Sequence, residues 1–68
     1  MNERQIKILT GSRADSRILV MQRADGNYSY RLQLNDGVSW GQHGPDCGIY
    51  ESAESAETEA RARTDWLS

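Results

Sequence analysis

Two runs of strand-forming residues, 17–23 and 28–34, flank Ala24-Asp25-Gly26-Asn27. Asp-Gly between two such runs is a strong hairpin signal. A hairpin commits the middle of the chain to an antiparallel sheet. Side-chain parity then predicts its register. A two-residue loop at Asp25-Gly26 sets Met21 against Tyr30 and Leu19 against Leu32, pairs that stabilise a common face. A three-residue loop sets Leu19 against Arg31, and a one-residue slip turns every side chain of a strand to the other side. The pattern therefore selects the two-residue loop. It assigns Leu19, Met21, Tyr28, Tyr30, Leu32 and Leu34 to an inner face. Ile18, Val20, Gln22, Ser29, Arg31 and Gln33 fall on the outer face. Leu32 and Trp66 are expected to be largely buried, Arg31 and Gln33 not.

The flanking segments complete an α+β reading. Gln5-Ile6-Lys7-Ile8-Leu9 alternates as a first strand, and the turn-forming stretch 10–16 follows it. Asn35-Asp36-Gly37 suits a three-residue turn with glycine last, which pairs Leu34 with Val38 and Leu32 with Trp40 and brings both to the inner face. Residues 41–48 hold three glycines and a proline and read as a long loop, after which Ile49-Tyr50 resumes an apolar pattern. Ser52 is a good N-cap for a helix over 53–67. Glu54 and Glu57 suit its start, Arg61 and Arg63 its end, and Glu57–Arg61 and Glu59–Arg63 are i,i+4 pairs. Ala53, Ala56, Ala60, the Arg63 stem and Leu67, with Trp66 beside them, form the stripe facing a sheet. The expected architecture is a single domain over 1–68: a three- to four-stranded antiparallel meander with one C-terminal helix packed on one face.

A chain of 68 residues buries only about 60% of the surface of its unfolded form. Phenylalanine is absent, and Leu, Ile and Val together number eleven, a thin aliphatic supply. The single cysteine excludes an internal disulfide. No apolar run approaches the roughly 20 residues of a membrane span; the longest is Ile18-Leu19-Val20-Met21. Residues 1–10 lack the apolar stretch of a secretory signal. The expected location is cytoplasmic, with Cys47 a thiol. Residues 1–34 carry a net charge of +3 and residues 35–68 one of −5, so the molecule is polarised and suited to head-to-tail association or to an anion on its basic side.

Chemistry-bearing residues are few. His43, Asp46 and Cys47 share one loop, and a cysteine nucleophile needs a base and an orienting group within reach. One His and one Cys fall short of a four-ligand zinc site. The helix glutamates are regularly spaced and solvated, which keeps them from acid–base work. Thr10-Gly11-Ser12-Arg13 offers backbone N–H groups to an anion only as a short signal. Tyr28, Tyr30 and Trp40 near Arg23 and Arg31 suggest base stacking, but the derived register puts the aromatics under the helix and Arg31 on the other face. No catalytic residue, metal or cofactor is expected.

The string Gly26-Asn27-Tyr28-Ser29-Tyr30-Arg31-Leu32, then Asp36-Gly37, then Tyr50-Glu51-Ser52 before an alanine-bearing helix, resembles the small bacterial YegP-like domains. Their repeat reads Gly-x-Tyr-x-Phe-Arg-Leu, a later Asn-Gly, and Tyr-x-Ser at the helix start. Tyr30 stands where that pattern has phenylalanine, and residues 41–48 lengthen the loop. The resemblance covers about residues 18–60. It implies a βββα unit that pairs with a second copy, in a family whose activity is unassigned. A fainter likeness to HicB-type antitoxins rests on a Tyr-containing strand before a Ser-capped helix; their Pro-Asp-Leu-Pro-Gly signature is missing.

The thin core and the apolar pair Ile18 and Val20 on the outer face point to a non-enzymatic interaction module, a homodimer or the binder of a protein partner. Its expected interaction face is Ile18, Val20, Gln22, Ser29 and Arg31. The alternative is a nucleic-acid-binding domain using the basic strands, which a net charge of −2 disfavours. A membrane partner is not expected.

Overall fold

The computed structural model describes residues 2–67. Strands β1 (Arg4–Leu9), β2 (Ser16–Gln22), β3 (Tyr28–Leu34) and β4 (Cys47–Tyr50) precede helix α1 (Ala53–Arg63) and a 3-10 turn at Asp65–Leu67. The strands pair antiparallel in the order β1-β2-β3-β4, a meander with α1 against one face. The fold is α+β, as the hairpin and the capped helix require.

Helix α1 begins where the sequence places it. The Ser52 hydroxyl accepts the Ser55 N–H at 3.1 Å. Both i,i+4 ion pairs form, Glu57–Arg61 at 3.0 Å and Glu59–Arg63. Ala56 and Ala60 are fully buried, and their small side chains let the helix lie close on the strands. The helix stops at Arg63, short of the expected 67, because Thr64 turns extended. Leu67, in the 3-10 turn, then closes the far end of a core made with Leu9, Ile18, Val20 and Tyr30.

The central hairpin corrects the expected register. Its loop has three residues: Arg23 faces Asn27, with the Arg23 N–H donating to the Asn27 carbonyl at 2.6 Å. Gly26 stands in the left-handed region at φ +90°, the residue a type I turn with a following bulge needs. Asp25 secures the loop by accepting the Asn27 N–H at 3.0 Å. Leu19 therefore faces Arg31, Val20 faces Tyr30 and Ile18 faces Leu32. The side chains of β3 keep their expected faces; those of β2 are turned over. Ile18 and Val20 lie under α1, while Leu19 and Met21 lie on the outer face and are buried there too. The apparently bad Leu19–Arg31 pair is tolerable because Arg31 finds its own counter-ions on that face, and a long aliphatic stem suits an apolar neighbour.

The burial expectations for β3 are also corrected. Leu32 is 42% exposed, because it lies on the helix side beyond the reach of α1, whereas Arg31 is 8% exposed. The second turn is shifted as well. Asn35 bridges to Trp40, and the Asp36 N–H donates to the Ser39 carbonyl at 3.2 Å. The side chain of Asp36 accepts the N–H groups of Val38 and Ser39, and that of Asn35 accepts the N–H of Gly37. These caps hold a turn that throws Val38 into solvent, 92% exposed. Trp40 goes to the outer face beneath the Arg17 guanidinium, 4.0 Å from the ring centre.

Candidate functional site

Three elements converge on the outer face of the sheet. The pleat of β3 points Ser29 and Arg31 to this side, the segment before β1 brings Glu3, and the loop before β4 brings His43 and Asp46. The loop is pinned to the β3 edge by Gly41 N–H to Leu34 carbonyl at 2.9 Å and Gly44 N–H to Leu32 carbonyl at 2.8 Å. Arg31 donates through Nε to Asp46 Oδ1 at 2.5 Å, through a terminal nitrogen to Glu3, and through Nη1 to His43 Nδ1 at 3.2 Å. The Ser29 hydroxyl donates to Asp46 Oδ1 at 2.9 Å, and Arg23 Nη1 reaches Asp46 Oδ2 at 3.2 Å.

The cluster is saturated. The Arg31 hydrogen bond, followed by that of Ser29, holds the Asp46 carboxyl below the usual carboxylate range. The same bond to Asp46 holds Arg31 above its ordinary value. Among the described residues no buried side-chain nitrogen or oxygen lacks a partner. A carboxylate that receives three donors and is held ionised is a weaker general base than a free one. The triad suggested by the loop does not assemble: His43 meets Arg31, Asp46 meets Arg31 and Ser29, and Cys47 packs against the core on the helix side. Among the described residues no group of three His, Cys, Asp or Glu side chains is placed to hold a metal ion.

The expected interaction face is divided. Ile18 and Val20 are buried under α1, and Gln22, beside them, donates to the Tyr28 hydroxyl at 3.4 Å. Only Ser29 and Arg31 remain on the outer face, both buried in the polar cluster. The aromatic residues are divided too. Tyr30 stacks on Tyr50 on the helix side, centroids 6.2 Å apart, while Trp40 lies opposite. The short loop at 10–13 is used internally: the Ser12 N–H donates to the Trp66 carbonyl at 2.8 Å. No protein-family model matches the chain, and no curated protein or solved structure is significantly similar to it.

What the sequence reading missed is an apolar hollow on the helix side. It measures about 390 Å³ and is lined by Leu32, Leu34, Gln42, Gly44, Pro45 and Cys47. Leu34, at its rim, is 55% exposed. The even-numbered apolar residues of β3 were the available signal. The strand is longer than the part α1 covers, so its last two leucines face outward past the helix. No helix of the described chain is long and apolar enough to cross a membrane.

Proposed function

We propose that the protein is a non-enzymatic interaction module that holds a protein partner, a second copy included, through apolar side chains outside its core. One observation carries this reading. Of eleven Leu, Ile and Val residues, six are at least 40% exposed: Ile6, Ile8, Leu32, Leu34, Val38 and Ile49. Burying one such side chain contributes about 1.5–3 kcal/mol, so a chain this poor in them forgoes much stability by leaving them outside. Leu32 and Leu34 lie together, and grouped exposed apolar side chains mark interaction sites in soluble domains. The hollow these two leucines line measures about 390 Å³.

The engagement of the arginines of the central hairpin supports this reading over the nucleic-acid one. Arg31 and Arg23 are occupied by Asp46 and other acids, and Arg17 is bound to Gln33 and Trp40. The stretch that resembles the YegP-like repeat runs from β2 through β3 and β4 into α1, the βββα order of that family. The test pairs two measurements. The first is capture of partners by the wild type and by Leu34→Lys; a protein held by the wild type and lost by the variant is expected. The second is titration of a labelled single strand and a duplex at low and high salt. Tight binding that weakens steeply with salt would replace this reading with the nucleic-acid one.

A further inference from the structure

We infer that copies of this chain associate head to tail, the β1 edge of one against the β4 edge of the next, so that the meander continues from molecule to molecule. The inference rests on the reading of the chain as an interaction module and names a second copy as the occupant of its two sheet edges.

The sheet order follows the chain order, so a charge difference along the sequence becomes a charge difference across the sheet. β1 carries Arg4 and Lys7 and no acidic residue. At the other side, residues 32–60 contain no lysine or arginine. Glu51 directly follows β4 and Glu54 stands in the first turn of α1, both exposed. Lys7 is paired with Glu57. Arg4, Glu51 and Glu54 form no ion pair among the described residues. The charge left over after the molecule has satisfied itself is basic at one edge and acidic at the other.

The apolar side chains match as well. Ile8 pairs with Leu19 and so lies on the outer face. Tyr50 packs on the helix side, so Ile49, next to it in the strand, lies on the outer face too. Ile8 is 40% and Ile49 61% exposed. Each edge strand has one neighbour, β2 or β3, and a row of backbone groups without a ladder partner. In a four-strand antiparallel meander β4 runs opposite to β1. A translated copy therefore extends the ladder antiparallel, sets Ile49 near Ile6 and Ile8, and brings Glu51 to the start of β1 where Arg4 stands. Two-fold pairings lack this complement: β4 on β4 brings Glu51 no lysine or arginine, and β1 on β1 leaves Arg4 without Glu51. Bulges at Gln5–Lys7 and beside Gly48 shorten the stretch that can pair, which keeps the contact weak. A heterologous contact leaves a free edge of each kind, so it grows beyond a dimer.

Sedimentation of the full chain from about 10 to about 500 μM tests this, a range chosen for a weak contact of small area. Wild type, Ile49→Lys and Ile8→Lys are run, with circular dichroism melts to confirm that each variant folds. Arg4→Glu replaces Ile8→Lys should the latter melt early. The wild type is expected to pass dimer mass as concentration rises. Each variant alone is expected to associate at least tenfold more weakly. An equimolar mixture of the two is expected to form a 1:1 dimer and nothing larger, because one intact β4 edge meets one intact β1 edge. A wild type that stops at dimer, with Ile8→Lys dimerising equally well, would overturn the head-to-tail contact and leave the interaction module standing. A wild type that stays monomeric at the highest concentration would also overturn it, and partner capture with Leu34→Lys would then judge the module reading separately.

Discussion

A Cβ on Gly11 would lie 1.9 Å from the Trp66 carbonyl oxygen and 2.8 Å from the Leu67 Cα. Backbone cannot yield as a side-chain tip does, so Gly11→Ala must lift the C-terminal turn, and Leu67 with it, off the loop after β1. The expected cost is at or above the upper end of the 1–3 kcal/mol of overpacking. Gly26→Ala meets nothing within 4 Å; it is charged only the roughly 1–2 kcal/mol of a left-handed alanine. Urea denaturation of the two variants should rank them in that order. Neither Gly11 nor Arg31 was legible in the sequence for the same reason: the partner is far away along the chain. Gly11 reads only as part of a turn-rich string, and Arg31 only as a polar residue on an outer face. Asp46 gives a pH prediction. Its folded-state pKa is lowered, first by the Arg31 hydrogen bond. Between that lowered value and the ordinary one near 4 the unfolded chain binds more protons, so stability rises with pH there. The contribution is present above about pH 4 and is lost as pH falls through the folded value. Asp46→Asn should be clearly less stable than wild type at neutral pH, and the two melting curves should converge in acid.

The strands and the helix were more legible than the faces they present. The bounds of β3, the Ser52 cap and both helix ion pairs follow from local chemistry, because each depends on residues within about one turn. The face of β2 does not. Choosing the hairpin loop by apolar pairing assumes that one side of the sheet is wet. Ile18-Leu19-Val20-Met21 is instead a continuous apolar run of the kind found in strands buried on both sides. β2 sits between β1 and β3, with α1 over one face and the Arg31 cluster on the other. The run was visible in the sequence; that a polar cluster would cover its second side was not. Two substitutions separate the registers. Ile18→Ala, under the helix, should cost about 2–5 kcal/mol. Leu32→Ala, at 42% exposure, should cost well under half of that. Equilibrium urea unfolding measures both, and the reverse ranking would restore the two-residue loop.

For the whole molecule, the apolar surplus was legible but its place was not. The sequence reading put it on Ile18 and Val20; the structure puts it on the two edges and in the hollow beyond α1. The charge polarity carried over in part: Arg4 stands on β1 and Glu51 follows β4, while Glu57 of α1 reaches back to Lys7 on β1. A core with five buried Leu, Ile and Val side chains leaves a monomer of this size marginal. Association that occurs only in the folded state then adds to folding stability by mass action. With a second copy as the ligand, each tenfold rise in concentration above the dissociation constant adds about 1.4 kcal/mol. At roughly 4–8 °C per kcal/mol for a domain of this size, Tm should climb by several degrees across that range. High salt should flatten the climb without abolishing it, since it screens the edge charges but leaves Ile8 and Ile49 apolar. Ile49→Lys should show one Tm at all concentrations. Its value should equal that of dilute wild type, because Ile49 is 61% exposed in the monomer and contributes little to its core. Scanning calorimetry over a fiftyfold concentration range, about the span of the sedimentation series, decides it: a wild-type Tm that does not move would mean that the edges add nothing to the fold.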